Sequence, residues 1–209
     1  MTATPTVFIV DDDPLVSSSL DRLVRSVGYQ AAVFGSSSEF LFHDKNDSPG
    51  CLVLDVQLPD LCGLSLQQAL AARGPGLPII FLTGHGDIPM SVRAIKAGAV
   101  DFLTKPCEDQ NLIEAIEQAI VLDKEARQVQ AERTKLLHCL ATLTKREREV
   151  CSHVIAGRLN KQIAADLGTC EQTIKVHRMR IMEKLRVRSL AQLIKLAERG
   201  GISPAIPQK

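Results

Sequence analysis

Cys51-Leu52-Val53-Leu54-Asp55 decides how the rest of the chain is understood. Four apolar residues fit a strand buried on both faces, and a carboxylate stands where that strand stops. An Asp after a strand also suits a plain turn, so the stretch gains meaning only from its surroundings. Upstream, Thr6–Val10 is a β-branched, apolar strand followed by Asp11-Asp12-Asp13-Pro14, and Gln30–Phe34 is a second strand. Downstream, strand Pro78–Leu82 runs into Thr83, and strand Val100–Leu103 into Thr104-Lys105-Pro106.

Helices separate the strands. An Asp cap and Pro14 open the first, Leu15, Val16, Leu20, Leu23, Val24 and Val27 have helical spacing, and Gly28 stops it. Ser36–Phe42 is a short helix before a loop over 44–50. Gly63–Ala72 is a helix ended by Gly74-Pro75-Gly76. Ile88–Ala97 follows the loop 83–87 and stops at Gly98, and a long helix starts at Glu108. Strict alternation of this kind predicts a doubly wound, five-stranded parallel sheet. In the order 2-1-3-4-5, strands one and three are neighbours at the switch point, where such sheets carry their sites.

That order brings Asp11, Asp12 and Asp55 to one edge, flanked by Thr83 and Lys105. Crowded carboxylates repel, and a divalent cation relieves them. Oxygen-only ligands with open positions suit Mg²⁺ (or Mn²⁺), which keeps waters and accepts phosphate oxygens. A carboxylate beside such an ion and a lysine is equipped to attack phosphorus. Helix caps, a turn threonine and a solvated lysine explain each residue singly, but not all of them at strand ends together.

The wording carries a resemblance. Val-Asp-Asp-Asp at 10–13, Leu-Asp-Val-Gln-Leu-Pro-Asp at 54–60, Thr-Gly-His-Gly-Asp at 83–87 and Ala-Gly-Ala-Val-Asp-Phe-Leu-Thr-Lys-Pro at 97–106 resemble the CheY-like receiver domain of two-component response regulators. The resemblance implies Asp55 as phosphoacceptor and Asp11, Asp12, Asp55 and the Gln57 backbone carbonyl as metal ligands. It implies Thr83 and Phe102 as the switch pair and Lys105 and Thr83 as phosphate contacts, with a cis bond before Pro106. Asp13 is expected to be a bystander. Cys62 and Cys107 depart from the residues usual in the family.

The last receiver helix turns Leu112, Ile113, Ile116, Ala119 and Ile120 to one face. Good helix formers continue through Leu140. Residues 123–141 are expected to be a helical linker, either a solvated spacer or a short coiled coil between two chains. The receiver is then 1–122 and the rear domain 142–209.

In the rear, Thr144-Lys145-Arg146-Glu147 is a capping box for a helix to Ala156. Asn160 is expected to cap a helix 161–167, and a turn at 168–171 leads to a third helix, Gln172–Leu185. Ser189 caps a fourth. Two helices joined by a short glycine-containing turn form a helix-turn-helix unit. Residues 141–200 hold 13 basic and 6 acidic residues, a net +7. The third helix keeps Ile174, Ile181, Met182 and Leu185 for the core and presents Thr173, Lys175, His177, Arg178, Arg180 and Lys184 elsewhere, as a helix in the major groove requires.

The stretches 143–150, 160–164, 172–177 and 181–189 resemble the LuxR-type helix-turn-helix, and both halves together resemble the NarL/FixJ class. Residues 84–90 and 160–164 are similar to FixJ-like members, which include regulators of aromatic hydrocarbon breakdown. The resemblance implies Lys175 and Val176 at base edges and Thr173 at a phosphate. Met179 stands where a basic contact is frequent. Arg178 and Arg180 are added on their chemistry, and His177 is a further candidate that equally suits helix packing or a backbone contact.

Composition sets the outer bounds. Residues 1–122 carry 15 acidic and 7 basic residues, a net −8; residues 123–209 carry 9 and 18, a net +9. Acidic front and basic rear suggest different partners. No apolar run reaches the ~18 residues of a membrane span. Met1–Pro5 has neither a basic region nor a cleavage signal, so a cytoplasmic protein is expected. The six cysteines lack a C-x-x-C pair and read as reduced thiols rather than zinc ligands.

The expected function is a response regulator, not an enzyme. A histidine kinase phosphorylates Asp55, the chain dimerises, and it binds a double-stranded operator, as an activator. The alternative is a constitutive DNA-binding regulator whose receiver is a structural dimerisation module. A phosphatase would need a general acid two residues after Asp55, where Gln57 stands.

Overall fold

The computed structural model describes residues 4–43, 48–73, 76–84 and 86–205. Parts of the expected loops at 44–50 and 83–87, and the stop at Gly74-Pro75, lie outside the described residues. The chain divides into two compact units, Met1–Gln128 and Val129–Lys209.

The first unit holds β1 (Thr6–Val10), α1 (Pro14–Ser26), β2 (Gln30–Phe34), α2 (Ser37–Phe42), β3 (Gly50–Leu54), α3 (Gly63–Ala72), β4 (Ile79–Thr83), α4 (Ile88–Lys96) and β5 (Asp101–Thr104). All strands are parallel, in the order β2-β1-β3-β4-β5. Alternation sends Val7, Ile9, Cys51, Val53, Ile80 and Leu82 to one face, against α1 and the start of α5 (Asp109–Ala141). Phe8, Val10, Leu52, Leu54 and Phe81 go to the other, against α2, α3 and α4. Each fully buried Leu or Phe contributes about 1.5–3 kcal/mol. Helix α4 leaves Ile88, Val92 and Ile95 exposed, one turn apart.

Three strand boundaries shift from the sequence reading. Strand β3 begins at Gly50, which pairs with Thr6 so closely that a Cβ there would stand 2.2 Å from the Thr6 carbonyl oxygen. Thr83 closes β4, since its carbonyl accepts from Lys105 N at 2.8 Å. Register with Ile80–Thr83 moves β5 to Asp101–Thr104.

Helix α5 spans 33 residues, and the unit boundary falls within it. Leu112, Ala115, Ile116, Ala119 and Ile120 are buried. Asp123 is buried too, and its Oδ2 accepts from Gly50 N at 2.9 Å and Arg127 Nε at 2.6 Å.

The second unit continues with α6 (Lys145–Ile155), α7 (Asn160–Asp166), α8 (Glu171–Lys184) and α9 (Leu190–Arg199). Leu140, Val150, Val154, Ile163, Ile174, Ile181, Leu193 and Ala197 form its core. The capping box at Thr144 and Glu147 and the Ser189 cap are present. Asn160 is not a cap. It is the first residue of α7, and its Oδ1 accepts from Arg178 Nη1 at 3.1 Å. Gln162 Oε1 instead accepts from Leu159 N at 2.9 Å. Lys184 turns inward, its Nζ 2.6 Å from Glu147 Oε2 and 3.0 Å from the Thr142 carbonyl. No described helix is long and apolar enough to cross a membrane.

Candidate functional site

The register decides the site. Val10 pairs with Leu54, so β1 and β3 end level and hand Asp11 and Asp55 to the same edge. Asp55 N donates to the Val10 carbonyl at 2.9 Å, and Asp11 N to the Phe34 carbonyl at 3.1 Å. Both carboxylates are buried, with Asp55 at 8% and Asp11 at 3% exposure, while Asp12 is exposed. One oxygen of each is oriented by backbone: Asp55 Oδ1 by Gln57 N at 3.1 Å, and Asp11 Oδ1 by Asp13 N at 3.0 Å. Lys105 Nζ takes the other pair, 2.8 Å from Asp55 Oδ2 and 2.5 Å from Asp11 Oδ2. The peptide bond from Lys105 to Pro106 is cis.

Ligand atoms of Asp11, Asp12 and Asp55 all lie within 4.8 Å of one another. Burial pushes the Asp11 carboxyl above its ordinary range, aided by the Asp55 charge, even though Lys105 and the Asp13 amide pull the other way. Burial would lower the Lys105 ammonium, but its bonds to Asp11 and Asp55 outweigh this and hold it above its ordinary value. Three carboxylates against one ammonium leave the site short of positive charge. A hard, oxygen-seeking divalent cation fits that deficit.

The remaining predicted residues fall around this edge. Thr83 is fully buried at the end of β4, beside Thr104 in register. Phe102 pairs with Phe81, ring centroids 5.9 Å apart, and is partly buried. Asp13 is the expected Asp cap of α1, its Oδ1 accepting from Leu15 N at 2.8 Å, and it stands outside the Asp11–Asp12–Asp55 group. Cys62 is exposed at the N-cap of α3, and Cys107 packs against the α1–α5 face.

Three supporting residues escaped the sequence reading. A Cβ at Gly63 would stand 2.3 Å from the Asp55 carbonyl oxygen, so only glycine lets α3 start that close. Asp60 accepts from Ser38 N at 2.7 Å and Ser37 N at 3.2 Å, which caps α2 from a distance. The Ser38 bonds hold its carboxyl well down, at about 2. Gln67 Nε2 donates to the Ala94 carbonyl at 3.1 Å and ties α3 to α4. Asp60 stood inside the quoted 54–60 stretch and was the most accessible of the three.

In the second unit, Gly168, with φ 61°, makes the turn between α7 and α8. Helical spacing puts Val176 and Met179 opposite the buried Ile174 and Ile181, with Lys175 to one side. Lys175 and Met179 are exposed, as is Arg180 beside them. His177 and Arg178 are half-buried on the flanks, Arg178 holding Asn160. Thr173 Oγ1 lies 3.1 Å from Cys170 Sγ. Lys175 Nζ is 3.5 Å from Glu171, an exposed pair worth about 0.3–0.5 kcal/mol and easily given up.

A receiver-type sheet edge followed by a helix-turn-helix domain defines a DNA-binding regulator of the two-component kind. Residues 7–117 match the response regulator receiver domain and residues 141–197 the bacterial regulatory proteins of the luxR family. The chain belongs to the two-component response regulators of the NarL/FixJ class. It is 49% identical to Nodulation protein W of Bradyrhizobium diazoefficiens over 197 residues, covering 94% of this chain and 87% of that one. To the transcriptional regulatory protein FixJ of the same species it is 39% identical over 202 residues, covering 97% and 98%. A structure of the response regulator StyR superposes with a TM-score of 0.88 at 50% identity, covering 94% of this chain and all of that one.

Proposed function

We propose that Asp55 accepts a phosphoryl group from the phosphohistidine of a kinase, and that this controls operator binding by α8. The observation that carries the reading is the Asp55 carboxylate, with one oxygen oriented by Gln57 N and the other 2.8 Å from Lys105, inside the Asp11–Asp12–Asp55 cluster. A carboxylate oxygen of Asp55 attacks phosphorus, an O–P bond forms, the P–N bond breaks and the imidazole leaves. Lys105 and Thr83 then contact phosphate oxygens. Asp11, Asp12, Asp55 and the Gln57 carbonyl would hold Mg²⁺ or Mn²⁺. When bound, that ion neutralises charge on the transferring group.

Movement of Thr83 and Phe102 alters the face of α4, β5 and α5, where Ile88, Val92 and Ile95 lie exposed. Two chains pair there, and the regulator acts as a cytoplasmic activator. The phosphate favours one of two existing conformations. Two copies of α8 enter successive major grooves. Lys175 and Val176 read base edges, Thr173 and Arg180 hold the backbone, and His177 and Arg178 support from the flanks. The receiver is residues 1–122, the linker 123–141 and the DNA-binding domain 142–209.

The test is operator affinity with and without a small phosphodonor and Mg²⁺. The wild type gains affinity and Asp55→Asn does not. Equal binding by wild type and Asp55→Ala, with no response to phosphodonor, would instead support a constitutive regulator.

A further inference from the structure

Gly86 lies between β4 and α4, over the ring of Phe102. A Cβ on Gly86 would stand 2.7 Å from Phe102 Cε1, 3.1 Å from Cζ and 3.4 Å from Thr104 Cγ2. Carbon atoms pack best at about 3.5–4.0 Å, so the Phe102 ring fills the volume a side chain at 86 would need. Space for the ring is thus a steric requirement at this position.

The ring has little room to retreat inward. It also meets Phe81, ring centroids 5.9 Å apart at 38° between ring planes, and Phe81 and Thr83 are both fully buried. A methyl group at 86 would press on the ring's tip, the part that moves most readily by side-chain rotation. Phe102 is only partly buried, so displacement of the ring would expose more of it to solvent.

We infer that Gly86 is a positioning residue of the Thr83–Phe102 switch, its missing side chain being what admits the Phe102 ring beneath the β4–α4 segment. The size of residue 86 then sets the balance between ring inside and ring outside. This rests on the phosphorylation-gated reading above. It makes Gly86 a determinant of how strongly phosphate at Asp55 is transmitted to the β5 face, without touching phosphate itself.

The test is a double-mutant cycle in the full chain, reading the gain in operator affinity on treatment with acetyl phosphate and Mg²⁺. Gly86→Ala should cut the gain roughly tenfold. Phe102→Leu removes the ring atoms that a methyl at 86 would meet, so adding Gly86→Ala to it should change nothing further. A second measurement uses 4-fluorophenylalanine labelling, with the Phe102 resonance identified by its loss in Phe102→Leu. Gly86→Ala should move that resonance toward its solvent-exposed position. An undiminished gain with an unmoved resonance overturns the inference, as does an equal loss from Gly86→Ala in both backgrounds. A wild type that shows no gain overturns the gating reading instead, and the fluorine resonance then decides the role of Gly86.

Discussion

Glu147 shows how one side chain can close a helix and bridge two elements. Glu147 is 3% exposed, and its carboxylate accepts from Thr144 N at 2.8 Å and pairs with Lys184 at 2.6 Å. Burial alone would raise its pKa, but the bonds from Lys184 and Thr144 win and hold it below the ordinary 4.5. A carboxyl depressed in the folded state adds stability that is complete above the unfolded value. That contribution is lost as pH falls from about 4.5 through the lower folded value. Glu147→Gln should therefore flatten the fall of Tm with pH below 4.5 while losing stability at neutral pH, which thermal melts across a pH series would measure. Lys184→Met removes the charged partner and should cost roughly 1.5–3 kcal/mol in denaturant unfolding. At Gly63 the constraint is volume. The Asp55 carbonyl and Val56 Cα stand where a methyl would go, so Gly63→Ala should cost about 1–3 kcal/mol and slow phosphoryl uptake at Asp55.

Among the elements, α5 depends on a bond that joins residues 73 apart in sequence, from Gly50 N to Asp123. Asp123→Ala leaves a buried amide at the start of β3 without its acceptor and should destabilise the first unit by roughly 1–3 kcal/mol, read from its unfolding transition. Strands β1, β3 and β4 were legible because burial on both faces writes itself as nearly unbroken apolar residues, and the site because Asp11 and Asp55 follow such runs. Contacts across the fold leave no such local mark. Nothing near Gly50 announces that Thr6 will crowd it, and nothing near Asn160 announces that Arg178 will take its side chain in place of a cap. Lys184 reads as a surface lysine on α8 until α6 brings Glu147 beneath it.

For the molecule as a whole, ligand binding and folding are linked. If Asp11, Asp12 and Asp55 hold Mg²⁺, the first unit's Tm should rise with its concentration, by the equivalent of about 2.7 kcal/mol at a hundredfold excess over Kd. Asp12→Asn, on the exposed ligand, should abolish most of that rise in calorimetry. Lys105 sets what happens at the other limit. Its ammonium already lies between Asp11 and Asp55, so the chain carries its own counter-ion. Chelation should thus leave a receiver that remains folded, unlike a zinc finger, whose structure is lost with its metal. If phosphorylation at Asp55 needs that ion, a fall in magnesium should silence the regulator without unfolding it, and its competence should return with the ion.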